Sequence, residues 1–177
     1  KLLSSQVERC NQILKRLTLN PVEDDFIDKD LTMKDYLNEI ISSFREISKK
    51  NFIFNFDQYS NEKKISKSIE IVYGLRNFIG NANKFSQNKV EIFLISNDKE
   101  TEIIIIDDGP GFPKDLIDKS ILGEPYIRTK DQKNISKYGL GLGTFIGKTL
   151  LEKNFAKIFF ENHDSKGAQV KIKWNNK

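Results

Sequence analysis

The chain has 177 residues, 38% of them hydrophobic and 31% charged, which is the balance of one globular domain with an appendage. Its net charge of +4 comes from 29 basic and 25 acidic residues mixed along the chain, which indicates a solvated surface and argues against direct nucleic-acid binding. One Cys and one His exclude an internal disulfide and a structural zinc site made within this chain, and no apolar run approaches the roughly 18 residues of a membrane-spanning helix.

The N-terminal segment has apolar residues at heptad spacing, namely Leu3, Val7, Cys10, Leu14 and Leu17. This spacing predicts a helix that packs against another helix, and two heptads require a partner chain for stability. Asn20-Pro21 ends the helix, and the acidic stretch after it is typical of a linker. The sequence therefore predicts a pairing helix over 1–20, a linker over 21–30 and a domain over 31–177.

The domain over 31–177 alternates helical and strand patterns. Helices are predicted near 32–49, 66–85 and 144–154, strands near 52–56, 90–96, 101–106, 157–161 and 169–174, and a mobile polar loop over 123–138. The run of isoleucines from Ile103 to Ile106 predicts a strand buried on both faces. This element order favours an α+β fold built as a two-layer α/β sandwich.

The long helix near 66–85 carries the first candidate motif, Asn77-Phe-Ile-Gly-Asn81-Ala-Asn-Lys84-Phe85. At 100° per residue, Asn77, Asn81 and Lys84 lie within about 60° of one another on one face of this helix. Amide oxygens suit Mg²⁺, and an ammonium can neutralise phosphate as a point charge. An ordinary solvated helix face is the alternative. The opposite face, predicted to lie on the sheet, carries Leu75, Ile79 and Ala82.

The second motif is Asp107-Asp108-Gly109-Pro110-Gly111, directly after the isoleucine run. A carboxylate at the end of a buried strand is partly desolvated and needs a hydrogen-bond donor, which the exocyclic amine of adenine can supply. Gly109 and Gly111 allow the backbone to turn and to approach a flat ligand closely. The alternative is a plain Asp-Gly turn between strands.

The third motif, Gly139-Leu140-Gly141-Leu142-Gly143-Thr144, precedes a predicted helix. Glycines there expose backbone N–H groups to phosphates, and the N-terminus of the helix adds positive potential. The spacing differs from the Rossmann pattern, and a flexible glycine hinge is the alternative. The chain has Gly147-Lys148-Thr149 but lacks the full P-loop pattern Gly-x-x-x-x-Gly-Lys-Ser/Thr, because Leu142 stands where its first Gly is required. It also lacks a His-Arg-Asp loop, and both absences argue against P-loop NTPases and Ser/Thr/Tyr kinases.

Together, in this order, the three motifs resemble the N, G1 and G2 boxes of the Bergerat-type ATP-binding domain of sensor histidine kinases, over residues 66–174. The resemblance implies ATP and Mg²⁺ as cofactors, with Asn81 as the main Mg²⁺ ligand and Asn77 beside it. It further implies that Lys84 touches phosphate, that Phe85 packs on the adenine and that Asp107 binds the adenine amine. The other implied ATP-binding residues are Gly109, Gly111, Tyr126 and Arg128 of the lid, with Arg128 near the γ-phosphate, and Gly139, Leu140, Gly141, Leu142, Gly143 and Thr144.

Asn77 discriminates within this superfamily. The related ATPases carry a Glu at this position to activate water, and an amide is not a base at neutral pH. The resemblance therefore favours transfer of the γ-phosphoryl group to a supplied nucleophile over hydrolysis. Two alternatives remain, namely a non-catalytic module that senses ATP and a Bergerat-type ATPase.

Several segments, including Gln6–Leu14 and Gly167–Trp174, are similar to the RegB/PrrB-type redox-responsive sensor kinases of proteobacteria. The likeness implies a homodimer and places Cys10 where that family has a regulatory Cys, which makes Cys10 a redox candidate. The alternative for Cys10 is a small buried hydrophobe, because it occupies a position in the heptad seam.

The phosphoacceptor His of such kinases is missing, since His163 lies in a predicted turn and is expected to be a surface or loop residue. Lys137 also stands where the G2 box usually begins with Gly. We therefore expect a catalytic fragment whose acceptor His lies on another segment and whose later partner is an Asp of a response regulator. The likeness implies a cytoplasmic domain of an inner-membrane bacterial kinase, with membrane contact only through a further N-terminal region.

Overall fold

The computed structural model describes residues 32–57, 68–124, 142–163 and 167–176. Within them the chain forms four helices and five strands, and the predicted order of elements is confirmed except that α3 was not predicted. The pairing helix and linker predicted over 1–30 lie outside the described residues. The elements are α1 (Met33–Ile47), β1 (Asn51–Phe56), α2 (Ile69–Phe85), β2 (Lys89–Ser96), β3 (Glu100–Asp107), α3 (Lys114–Asp118), α4 (Leu142–Lys153), β4 (Lys157–Asn162) and β5 (Ala168–Asn175).

The five strands form one mixed sheet in the order β1-β2-β3-β5-β4. β1 runs parallel to β2, and the other neighbours are antiparallel. Helices α1, α2 and α4 contribute to the same buried core as the inward side chains of the strands. The two-layer α/β sandwich is therefore confirmed. In the part of the chain that the structure describes, no helix combines the length and the apolar character needed to cross a membrane.

Short polar side chains fix where the helices begin. Thr32 and Asp35 form a reciprocal capping box at the start of α1, in which the Asp35 carboxylate accepts from the Thr32 N–H at 2.8 Å. Ser68 accepts from the N–H of Glu70 and caps α2. Leu75, Ile79 and Ala82 of α2 are buried in the core, as its periodicity predicted.

The prediction for the isoleucine run was wrong. In β3 the side chains of Ile103 and Ile105 are 0% and 1% exposed, whereas Ile104 and Ile106 are only partly buried on the opposite face. Because successive strand residues point to opposite faces, only every second one meets the helices. The sheet thus has one face covered by helices and one face without a helix among the described residues.

Two glycines let α2 and α4 approach each other closely. A Cβ added to Gly74 would lie 2.5 Å from Cγ of Leu151, and one added to Gly147 would lie 3.2 Å from Cβ of Asn77. Side chains at either position would push the helices apart. Their contact brings the N-terminus of α4 beside the polar face of α2.

Phe155 ends α4 in a conformation that normally belongs to glycine. Its φ is +64°, and the N–H groups of Phe155 and Ala156 donate to the carbonyls of Glu152 and Leu151 in a Schellman motif. The side chain is 90% exposed, so burial contributes little to offset the cost of a left-handed residue.

Replacing this residue should therefore stabilise the protein. Phe155→Gly is expected to raise the free energy of unfolding by about 0.5 to 1 kcal/mol, because relief of the left-handed strain exceeds the added freedom of glycine in the unfolded chain. The melting temperature and the urea midpoint would measure the change. Phe155→Val, which is β-branched and tolerates positive φ poorly, is the matched control and should be destabilising. An unchanged or lower stability of Phe155→Gly would contradict the prediction.

Candidate functional site

The polar face of α2 meets the start of α4. The Nδ2 of Asn77 donates to the carbonyl of Tyr73 at 2.9 Å, and the Nδ2 of Asn81 donates to Oγ1 of Thr144 at 3.1 Å. Both side-chain amides border Gly143, where an added Cβ would lie 3.4 Å from the Oδ1 of Asn77, 3.6 Å from the Oδ1 of Asn81 and 3.7 Å from the Nδ2 of Asn81. The structure thus brings together predicted residues of the first and third motifs.

The chemistry of this cradle fits a hard divalent cation. Two neutral amide oxygens, those of Asn77 and Asn81, border a space that the missing side chain of Gly143 leaves open. Such oxygens, together with phosphate oxygens and water, are the ligands that Mg²⁺ takes at nucleotide sites. Backbone N–H groups at the N-terminus of α4 add positive potential on the same side.

Asp107 ends β3 and is buried, with 6% of the residue exposed. Its Oδ1 accepts from the N–H of Gly109 at 2.8 Å and from the N–H of Ala168 at 3.2 Å. Both backbone donors use the same oxygen, and no other donor from the described residues reaches Oδ2, so Oδ2 can receive a donor from a ligand. The carboxylate is therefore oriented before any ligand arrives.

Burial raises the pKa of Asp107 above its ordinary value of 3.8, and the two backbone N–H groups only partly oppose this shift. An ionised carboxylate in this place is less well solvated than in water. A ligand that donates a hydrogen bond to it would therefore relieve a cost that the unbound protein carries.

Gly167 and Ala168 form a part of the site that the sequence analysis missed. A Cβ on Gly167, whose φ is +107°, would overlap the backbone carbonyl oxygen of Asp107. Glycine here lets the start of β5 pass directly against the end of β3, so that the N–H of Ala168 reaches the Asp107 carboxylate. The positive φ explains locally why a glycine occupies position 167. Its proximity to Asp107 depends on how β5 pairs with β3 in the sheet, which local sequence does not show.

The remaining predicted residues of the second motif border the same end of the sheet. Gly109 lies so close to the end of α2 that an added Cβ would overlap the carbonyl oxygen of Phe85. Gly111 adopts φ +80° beside Asn162, whose side chain bonds both the N–H and the carbonyl of Phe112. Lys84 is exposed, and its Nζ lies 5.3 Å from the ring centroid of Phe85.

Several predicted residues cannot be placed. Cys10, Tyr126, Arg128, Lys137, Gly139, Leu140 and Gly141 lie outside the described residues. Leu142 begins α4, and Thr144 contacts Asn81 as described above. His163 lies at the end of β4, where its N–H donates to the carbonyl of Gly167 at 3.0 Å, so the prediction of a loop position is confirmed.

Comparison with known proteins identifies the family. Residues 66–177 match the model described as histidine kinase-, DNA gyrase B-, and HSP90-like ATPase. The chain is 31% identical over 173 residues to the sensor histidine kinase RegB of Cereibacter sphaeroides, covering 92% of this chain and 36% of RegB. It is 26% identical over 145 residues to a putative NtrY-like sensor histidine kinase of Rickettsia prowazekii, covering 79% of this chain and 23% of that protein. The chain thus spans about a third or less of these relatives.

Solved structures give the same fold. The mycobacterial sensor histidine kinase MprB superimposes with a TM-score of 0.67 at 19% identity, covering 82% of this chain and 95% of that structure. The catalytic domain of histidine kinase ThkA gives 0.64 at 23% identity, with the same coverage. Full-length ShkA in complex with AMPPNP gives 0.65 at 20% identity, covering 81% of this chain and 30% of that structure.

The chain therefore belongs to the histidine kinase-, DNA gyrase B- and HSP90-like ATPase family, and its fold is that of histidine kinase catalytic domains.

Proposed function

We propose that this chain is the catalytic ATP-binding part of a two-component sensor histidine kinase. It binds Mg²⁺-ATP and transfers the γ-phosphoryl group to a His outside these 177 residues, from which the group passes to an Asp of a response regulator. The observation that carries the proposal is the buried, pre-oriented carboxylate of Asp107 at the same end of the fold as the Asn77 and Asn81 oxygens. The relatedness to RegB supports it.

Adenine recognition would rest on Asp107. Its Oδ2 accepts a hydrogen bond from the exocyclic amine, and desolvation makes a purine without that amine a poor substitute. Phe85, which is 39% exposed beside Gly109, supplies an apolar surface for the ring. These two side chains would set the preference for adenine.

Phosphate recognition would rest on α2 and α4. Asn81 and Asn77 would hold Mg²⁺, which when bound offsets the charge of the triphosphate. Lys84, Arg128 and the N–H groups of Gly139–Thr144 would neutralise the remaining charge, with Tyr126 in the lid. These roles stay predictions, and those of residues 126, 128 and 139–141 concern residues outside the described part.

The side chain at Asn77 favours a kinase over an ATPase. An amide has no basic lone pair at neutral pH, and its Nδ2 is already engaged by the carbonyl of Tyr73. The site therefore offers no base to activate water at this position, and the phosphoryl group awaits a nucleophile brought from outside.

The partners and the setting belong to the whole protein and are proposals. The likeness to RegB supports a homodimer, a response regulator and a cytoplasmic domain joined to the inner membrane by a segment outside this chain. Cys10 as a redox switch rests on the resemblance alone.

Asp107→Asn tests the adenine site. Because Oδ1 of the Asn must accept from Gly109 and Ala168, its NH₂ would face the adenine amine, donor against donor. We expect the affinity for AMPPNP, measured by titration calorimetry with Mg²⁺, to fall by about 10- to 100-fold. The control is Asp98→Asn in the exposed β2–β3 turn, and equal affinity of wild type and Asp107→Asn would refute the assignment.

The same variant should be more stable than wild type without nucleotide. Since burial raises the pKa of Asp107, the folded state holds its proton more tightly than the unfolded state, and stability falls as pH rises from about 3.8 through the folded pKa. The loss is complete once the pH exceeds the folded pKa. The difference in melting temperature between variant and wild type should therefore be largest at neutral pH and shrink on acidification.

Gly143→Ala tests the cation cradle. An added Cβ fits at 3.4 and 3.6 Å from the two amide oxygens, so folding should be retained, but the methyl fills the space where the cation would sit. We expect the gain in AMPPNP affinity that Mg²⁺ provides to fall about tenfold, with binding in EDTA unchanged. Gly80→Ala, on α2 but facing Phe44, is the matched control. An unaltered Mg²⁺ effect would argue against a site at Gly143.

Phosphoryl transfer separates the three candidate activities. The chain is mixed with γ-labelled ATP and with the separate His-bearing helix hairpin of a RegB relative. We expect the wild-type chain to transfer the label to the hairpin and the Asp107→Asn variant not to do so. An unlabelled hairpin with intact ATP binding would favour a non-catalytic sensor. Rapid steady-state phosphate release by the chain alone would favour an ATPase.

A further inference from the structure

The turn between α2 and β2 is held by charged side chains on two sides. Residues 86–88 form this turn, directly after Lys84 and Phe85. Its amide N–H groups donate to Asp108, and one carbonyl in the turn and one near the end of α2 accept from Lys50. Neither charged residue has a role in the nucleotide contacts described above.

Asp108 binds the amides of the turn. Its Oδ1 accepts from the N–H groups of Gln87 at 2.8 Å, Asn88 at 3.0 Å and Lys89 at 3.2 Å, and its Oδ2 accepts from Asn88 at 3.0 Å. Burial opposes ionisation, but these donors outweigh it and hold the pKa of Asp108 below its ordinary value. The carboxylate is thus a charged anchor for the first residues of β2.

Lys50 binds the carbonyls on the other side. Its Nζ donates to the carbonyl of Asn83 and, at 2.6 Å, to that of Ser86, where the C-terminal end of α2 attracts a cation. Ser48 adds a hydrogen bond of 2.7 Å from its hydroxyl to Oδ1 of Asn83. The segment between α1 and β1 therefore fixes the last turn of α2.

The turn held by Asp108 and Lys50 lies next to Asp107, the carboxylate proposed to bind adenine. Gly109 packs on the carbonyl of Phe85 and donates its N–H to Asp107, so the end of α2 and the end of β3 meet at one backbone contact. Asp108 lies between Asp107 and Gly109 in the chain, and its carboxylate accepts hydrogen bonds from the turn. A shift of the turn would move Phe85 relative to Asp107, the two sides of the proposed adenine site.

We propose that Asp108 and Lys50 are positioning residues that set the distance between Phe85 and Asp107 and thereby the selectivity for adenine. This inference rests on the proposed function. No nucleotide contact is assigned to either residue, and both act through the α2–β2 turn. Their charges also act on the carboxylate of Asp107, whose pKa Lys50 lowers and Asp108 raises. Loss of either should reduce discrimination between bases more than it reduces binding of the triphosphate.

The test compares affinities for ATP and for purine ribonucleoside triphosphate, which lacks the 6-amino group, in the presence of Mg²⁺. Calorimetry on wild type, Asp108→Ala and Lys50→Met gives the ratio of the two dissociation constants. We expect the wild-type ratio to fall at least about fivefold in each variant. A merely structural loss would weaken both nucleotides alike and leave the ratio unchanged.

Conservative and matched variants complete the design. Asp108→Asn keeps the Oδ1 that accepts three of the four bonds, and should restore most of the ratio. Asp98→Ala, in the β2–β3 turn at the other end of the hairpin, and Lys49→Met, beside Lys50 in the chain, make the same chemical changes at exposed positions and should behave as wild type. If Asp108→Ala does not fold, Lys50→Met and Asp108→Asn still decide the question.

The outcomes separate the two proposals. If wild type and controls discriminate while Lys50→Met and Asp108→Ala keep the wild-type ratio, the positioning role is overturned and the adenine site stands. If wild type binds ATP without discrimination, or binds neither nucleotide, the adenine site itself fails and the positioning role fails with it.

Discussion

The close contact between α2 and α4 is the constraint on which the candidate site depends. Gly74 and Gly147 remove two side chains where the helices touch, and the space left holds Leu151 and the Cβ of Asn77. Helices separated by larger side chains would stand farther apart, since interaxial distance follows the residues at the contact. Only the close spacing places Gly143 and Thr144 next to the amides of Asn77 and Asn81, so the packing of the core determines the geometry of the polar cradle.

The adenine side of the proposed site depends on a buried carboxylate, that of Asp107, whose desolvation costs stability. Asp107 could hold its proton and avoid the desolvation of a charge, and burial indeed raises its pKa. Two backbone N–H groups, supplied by Gly109 and Ala168, nevertheless fix its orientation. Sites of this kind trade stability in the unbound state for selectivity in the bound state, because an unsatisfied buried acceptor rejects a ligand without a donor.

The sequence predicted the elements well and the contacts between them poorly. Helix α2 and the strands follow from apolar spacing, which is local, and the nucleotide motifs follow from residue types in short segments. The isoleucine run of β3 misled because four identical residues carry no alternation, so nothing local distinguishes the buried face from the open one. The parallel pairing of β1 with β2, and the contact of Gly167 with Asp107, depend on residues far apart in the chain.

Lys50 and Asp108 were missed for a different reason. Charged residues in polar turns are usually solvated, and in the sequence nothing marks these two as exceptions. Their significance comes from four amide bonds to one carboxylate and two carbonyl bonds to one ammonium. All of these bonds involve the three-residue turn, the end of α2 before it or the first residue of β2 after it. The negative carboxylate of Asp108 thus binds backbone N–H groups, and the positive ammonium of Lys50 binds backbone carbonyls, at the same turn. For the function we propose, the consequence is that the adenine site is assembled from four separate chain segments, those around residues 50, 85, 108 and 168. Its selectivity is a property of how these segments are joined.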